Sequence, residues 1–555
     1  MVILVDWGAM TSEIILGNGN LSIGLDSYGQ VQKIIFPNTC MANHVGSNSL
    51  HHKIGLYCED AVHWLDDGSW KIKQSYYPGR LISRTIANNL WLGIRLEIQD
   101  FVDSDLDALI RNIHVVNLSG HRRSAKLFVY QDFVFEDNAR NISTAQYIPA
   151  NVIDNLSQPA ILHFYDNKGF AISGKSFCGN DMDYSVGHFG KYDGNYMSGA
   201  WCDAADGKLA KNNCETGQTD SIIGLPIELS PHDSCRVMYY LAAGQSIPEV
   251  CQVLEKVAKE GSHDYTKTTS DHWLSWLQPA IDYARGNVRP EDRYDFIDLI
   301  LKLRAQILNN GSVIDKSIKE ISVSTNHISP LSSVLAAATL VELGLDIDAA
   351  RIYDFYISPL ERDHMLYPNY LSSGGIGPNK LPFALDNDCV VPPIFLADTA
   401  LLLISLCQSI NYAFAKTIPL DWKKRWRKLG VELADFLADY IDPISKLPMS
   451  TYHYNDPGEA KHVIEDALLV YTALISAANV SDRLKDVDAV IKYQAVSGDI
   501  ADALMDIHQD IELPADSDQI INRYIDNNFT DSYIVSLLSK IRSLVIKESS
   551  SEHDL

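Results

Sequence analysis

The chain of 555 residues is poor in lysine and arginine relative to its acidic residues. Its 71 acidic residues outnumber 46 basic ones, for a formal charge of −25. Nucleic-acid binding draws on phosphate neutralisation by basic side chains, so the composition speaks against a polyanionic partner. The same excess keeps the chain soluble and does not penalise a neutral ligand. No stretch of eighteen apolar residues is present, and Met1 to Met10 holds Asp6 without a basic flank, so neither a membrane span nor a signal peptide is expected. The nine cysteines form no CxxC pair and their number is odd, which predicts reduced thiols and a cytoplasmic location.

Several catalytic signatures are also missing. There is no GxSxG elbow, no Walker loop and no Rossmann glycine motif in a strand-to-helix setting. Gly17-Asn18-Gly19 falls between short alternating runs, where its glycines serve a tight turn. The 17 histidines contain neither HExxH nor His-x-His, so His51-His52 and His462 read as surface or packing residues. Asp386 and Asp388 lack the continuation of a calcium loop and read as a solvated turn. The expectation is no metal and no cofactor.

Hydrophobic residues make up 46% and charged residues 21%, an ordinary globular composition for a chain long enough to need two domains. Up to about residue 245 the apolar pattern has period two: Ile94, Leu96 and Ile98 alternate with Arg95, Glu97 and Gln99. Leu21, Ile23 and Leu25 lead into the turn Asp26-Ser27-Tyr28-Gly29, from which Val31 returns. A second hairpin is expected from Ile113 and Val115 through Asn117-Leu118-Ser119-Gly120 to Leu127 and Val129. Beyond Ser246 the period becomes helical, as in Phe296, Ile297, Ile300, Leu301, Ile307 and Leu308. Helices are predicted near 332–344, 346–357, 394–414, 420–441, 461–480, 482–508 and 531–547. The division is therefore an N-terminal β-sandwich over 1–246, a helical linker over 247–285, an α-helical domain over 286–548 and a tail over 549–555.

Leu16-Gly17-Asn18-Gly19-Asn20-Leu21, Asp26 to Gly29, Phe36-Pro37 and Asn43-His44-Val45-Gly46 resemble the opening of the prokaryotic family-15 glycoside hydrolases, the glucoamylase and glucodextranase relatives. Trp273-Leu274-Ser275-Trp276-Leu277 resembles their linker, and Leu301 to Asn310 with Gly311-Ser312-Val313-Ile314 their first barrel helix and its loop. Leu366-Tyr367-Pro368-Asn369-Tyr370 with Gly374-Gly375 is similar to the loop over the substrate. Leu396-Ala397-Asp398-Thr399 is similar to a family helix start, and Leu447-Pro448 with Val470-Tyr471 to the frame around the acid. The resemblance implies a multidomain β + α fold: an antiparallel super-β-sandwich followed by an (α/α)6-type helical barrel, here incomplete. It implies an α-glucan or oligosaccharide partner and carbohydrate metabolism, and leaves room for a companion chain that completes the barrel.

An inverting glycosidase needs one carboxylic acid and one carboxylate, roughly 6.5–9.5 Å apart. Counting from Leu447-Pro448 and back from His462 puts the family's Trp-Glu-Glu run on Tyr454-Asn455-Asp456. Asn455 takes the acid's position, and a neutral amide cannot supply that proton. Asp456 and Glu459 are the fallback acids, although Asp456-Pro457-Gly458 also reads as an ordinary exposed turn. Where the family grips glucose with Trp-Pro-Arg-Asp, this chain has Ser329-Pro330-Leu331-Ser332. No counterpart to the catalytic base is found. Tyr370, Asp398 and Tyr454 remain as substrate-binding candidates, with Asp398 reading either as a helix N-cap or as a sugar contact. The expectation is a glucan-binding relative with degenerate catalytic residues. The alternatives are an active inverting exo-α-glucosidase and a protein-interaction module.

Overall fold

The computed structural model describes residues 14–37, 43–45, 52–135, 142–153, 156–179, 181–192, 195–259, 265–315, 328–377, 384–386, 389–391, 396–416, 422–448, 460–507, 513–514 and 532–545. The chain divides into two compact units, one from the N-terminus to Leu277 and the other beginning at Gln278.

The first unit is antiparallel β-structure. A nine-stranded sheet runs in the order 214–217, 143–148, 160–165, 168–176, 234–244, 108–117, 94–102, 82–89, 71–76. A six-stranded sheet runs 195–198, 183–192, 219–229, 123–132, 54–58, 61–64, and a three-stranded meander holds 14–17, 22–25 and 31–35. The alternation at 94–102 does what the sequence predicts: Ile94, Leu96 and Ile98 are fully buried while Arg95, Glu97 and Gln99 are partly exposed. The turn at Asp26–Gly29 joins two paired strands as expected, with the Asp26 carboxylate accepting from the amides of Tyr28 and Gln30 at 2.8 Å.

The second predicted hairpin does not form. Ala108–Asn117 pairs with 94–102 and 234–244, whereas Arg123–Asp132 pairs with 219–229 and 54–58. The turn at Asn117–Gly120 reverses the chain and at the same time carries it from one sheet to the other. The expectation of nine reduced cysteines is also corrected, because Cys178 and Cys235 form a disulfide.

Helix α1 (Ile247–Lys259) packs Val250, Leu254 and Val257 onto the large sheet beside Ile110, Ala171 and Tyr240. Helix α2 (Tyr265–Asn287) follows it, and together they fill the stretch read as a helical linker.

The second unit is helical: α3 (Arg293–Ala305), α4 (Pro330–Glu342), α5 (Asp346–Phe355), α6 (Ile357–Asp363), α7 (Leu396–Lys416), α8 (Trp422–Arg425), α9 (Val431–Asp439), α10 (Ala460–Leu484), α11 (Val487–Ile507) and α12 (Tyr533–Leu544). One expected helix, 420–441, is interrupted by a π-turn at Trp426–Gly430. Helix α7 packs against α4 and α10, and α10 against α11. Helices α7 and α10 are long and apolar enough to cross a membrane by composition, but 72% and 67% of those windows are buried inside the protein. Helix α12 returns to the start of the unit and packs on α3 and α4. No closed helical ring is seen among the described residues. Gly311 lets the loop after α3 approach α5: its φ of 90° suits glycine, and a Cβ there would collide with the carbonyl of Arg351.

Candidate functional site

The residues singled out by sequence converge only in part. Asp398 lies in the first turn of α7, two residues beyond its start, so it is not the N-cap. Its side chain is buried, and burial followed by the nearby charge of Asp466 pushes its carboxyl up to about 7. Asp466, on α10, is buried as well. The packing of α7 against α10 thus brings two carboxyl groups into one low-dielectric region, where each disfavours the other's charge. Nothing in the period of α10 marked Asp466 beforehand. The available signal was a charged residue directly ahead of the apolar run Ala467-Leu468-Leu469-Val470.

Tyr370 is fully buried, and its hydroxyl accepts from the Tyr367 amide at 2.8 Å. It packs edge-on against Tyr356, with centroids 5.9 Å apart, and its backbone pairs with Ile328 and Ile376. Tyr370 therefore holds the Leu366–Gly374 loop rather than presenting a stacking face. Tyr356 in turn donates to Ser333 Oγ at 2.8 Å. Burial raises the hydroxyls of both tyrosines, and the charge of Asp398 adds to it, so both stay protonated donors. Leu366 N reaches Thr399 Oγ1, at 3.5 Å, next to Asp398. The start of α7, the Tyr356–Tyr370 pair and the start of α4 thus form one polar cluster with apolar walls.

At the position of the sugar-gripping pair, Leu331 and Ser332 are both fully buried. Ser332 Oγ donates to Asp315 Oδ2 at 2.5 Å, and Asp315 Oδ1 accepts from Ser532 Oγ at 2.8 Å and from Ile534 N at 2.9 Å. Ser532 also caps α12, accepting from Val535 N. Asp315 therefore ties the loop after α3 to the starts of α4 and α12.

Farther along the same two helices lies a cavity of about 290 Å³, lined by Thr339, Glu342, Ser405, Gln408, Tyr412 and Arg542 among others. Its position follows from the parallel run of α4 and α7: Ser405 Oγ donates to Val334 O at 3.1 Å, and Tyr412 Oη to Glu342 O at 2.9 Å. Neither Asp398 nor Tyr370 lines it.

Tyr454, Asn455, Asp456 and Glu459 lie outside the described residues, as do His51 and Asp388. His52 is buried, with Nε2 at 2.9 Å from the Asp132 carbonyl, in agreement with a packing role. Among the described residues, no group of three or more His, Cys, Asp or Glu side chains is placed to hold a metal ion.

No family model and no curated protein matches the sequence of this chain. Solved structures do match. A bacterial glucoamylase complexed with acarbose superposes with a TM-score of 0.61 at 15% identity, covering 89% of this chain and 68% of that one. A protein described as a kojibiose phosphorylase, from human microbiome, superposes with a TM-score of 0.56 at 10% identity, covering 88% of this chain and 68% of that one. The chain thus has a fold of the glycoside hydrolase and phosphorylase type: a large antiparallel β-domain followed by helices. These identities are low enough that the likeness concerns the fold.

Proposed function

We propose that this protein is a carbohydrate-binding relative of the glucoamylases that takes α-glucan or an oligosaccharide on its helical unit and has lost hydrolytic chemistry. The observation that carries this reading is the state of Ser332. The side chain standing where the resemblance places an ionised sugar ligand is fully buried and committed to Asp315, within a fold shared with an acarbose-bound glucoamylase over 89% of the chain. Recognition is then assigned to Asp398 and Tyr454, with Tyr370 holding the Leu366–Gly374 loop in place. Asn455 in the acid's position and Leu331 beside Ser332 support lost catalysis.

An active inverting exo-α-glucosidase is the second reading, favoured by the raised carboxyl of Asp398, since a general acid must hold its proton near neutral pH. In that reading Asp456 or Glu459 would take part in the chemistry, with a companion chain as a further source of the missing groups.

A proton NMR time course with maltoheptaose tests both readings. Saturation transfer from protein to sugar, with anomeric signals constant over a day, is the expected result. Release of β-glucose would overturn the loss of catalysis, and absence of saturation transfer would overturn sugar binding.

A further inference from the structure

The most exposed large aromatic side chain among the described residues lies in the first unit, far along the sequence from Asp398. Trp91 is 86% exposed at the turn Asn89–Ile94, beside Leu90 at 70%. Leu118, at 42%, sits on the next turn. A solvent-facing indole and two leucines at one end of a sheet are a cost that folding does not require, because Leu92 in the same turn is fully buried.

The turn that carries Trp91 is tied by hydrogen bonds to its neighbours. Asn89 Oδ1 accepts from Leu92 N at 3.0 Å, Gly93 O accepts from Leu118 N at 2.7 Å, and Asn117 Nδ2 donates to His121 O at 2.7 Å and Ser230 O at 3.0 Å. A third turn joins through His232 N, which donates to Ser119 O at 3.3 Å. Three strand connections are thereby locked side by side, and the indole sits on a platform already ordered before any ligand arrives, which lowers the entropy lost on binding. The strands leading into the turn supply planar polar groups: Arg95 Nε donates to Asn88 Oδ1 at 2.8 Å, and both side chains are partly exposed.

We infer that Trp91 is a secondary sugar-binding platform on the β-domain, taking a neutral glucan chain by stacking a pyranose ring on the indole. This rests on the carbohydrate reading above and places a second contact on the other unit. The negative face of the indole attracts the positively polarised C–H groups of a sugar ring, while hydroxyls at the ring edge find amide and guanidinium partners. A protein partner fits less well. Three side chains fall far short of the roughly 800 Å² per side that a stable protein interface requires. A chain of charge −25 is also repelled by an anionic lipid surface.

Affinity electrophoresis of the full chain in gels containing amylopectin, with Trp91→Ala and Trp91→Phe beside the wild type, tests this. The wild type should be retarded, Trp91→Phe retarded less, and Trp91→Ala should bind at least five-fold more weakly, with all three melting at the same temperature. Equal retardation of wild type and Trp91→Ala would overturn the platform and leave the helical-unit reading standing. An unretarded wild type would also overturn the platform, and saturation transfer to maltoheptaose in the same preparation would then decide the helical-unit reading separately. If Trp91→Ala instead dissolved an oligomer seen by sedimentation without altering retardation, the indole would be a protein contact and the inference would fall.

Discussion

Asp398 at the start of α7 and Asp466 on α10 oppose each other's charge across a helix–helix contact, and both side chains are buried. Two ionised carboxylates cannot share such a site cheaply, so the pair retains a proton into the neutral range.

The pH dependence follows from the sign of the shift. The folded protein binds the Asp398 proton more tightly than the unfolded chain does, with a folded pKa of about 7 against 3.8. The stabilising contribution is fully present below pH 3.8 and is lost as pH rises towards 7, on the order of a few kcal/mol in total. Asp398→Asn keeps the shape and removes the charge. Its melting temperature should match the wild type near pH 4 and exceed it at pH 8. Thermal melts across that range check this, and parallel profiles for the two proteins would count against it.

Asp315 supports a second prediction. Its carboxylate serves Ser332, Ser532 and the Ile534 amide, so Asp315→Ala leaves these donors without their acceptor. A cost of about 1–3 kcal/mol is expected, concentrated at α12. Hydrogen exchange should show the first-turn amides of α12 losing protection while those of α7 keep theirs.

Tyr356→Phe removes one buried hydroxyl whose partner, Ser333, also donates to Ser329 O at 2.9 Å. Ser333 stays bonded, so the loss should be only about 0.5–1.5 kcal/mol. Denaturant unfolding of the variant measures it, and a loss several times larger would mean that the hydroxyl holds more than this one contact.

In the β-domain, Arg111 and Asp100 are paired at 2.7 and 3.1 Å with both side chains almost wholly buried, and Arg111 Nη2 also donates to Gly29 O at 2.5 Å. Arg111→Ala strands a buried carboxylate and should cost about 3–5 kcal/mol. The double variant Arg111→Met with Asp100→Leu should recover much of that loss, as read from denaturant unfolding of the two variants.

Much of this architecture was legible from side-chain period alone, because a strand with one buried face must alternate, as Ile94 to Gln99 do, and a packed helix must repeat its apolar residues, as Phe296, Ile300 and Leu301 do in α3; Ile307 and Leu308, read on the same face, lie beyond its end at Ala305. The sheet change after Asn117 was not legible. Turn chemistry at Asn117-Leu118-Ser119-Gly120 specifies that the chain reverses, and says nothing of which sheet takes the next strand. The break at Trp426 was hidden for a similar reason, since a π-turn keeps helical composition. At the site, Asp398 could be picked out by its place at a helix start. Its electrostatic partner could not, because pairing depends on how α7 meets α10. Tyr370 was chosen for a loop position, and only the fold reveals that its ring is enclosed.

The crossing at Asn117 also bears on the order in which the protein can be made. The strand Ala108–Asn117 takes one neighbour from residues just before it and the other from Ser234–Gly244, more than a hundred residues later. A chain emerging from the ribosome therefore carries a ten-residue strand with an open hydrogen-bonding edge until Gly244 has been synthesised. Over that interval, the wait for a distant partner leaves the half-built sheet a template for other chains.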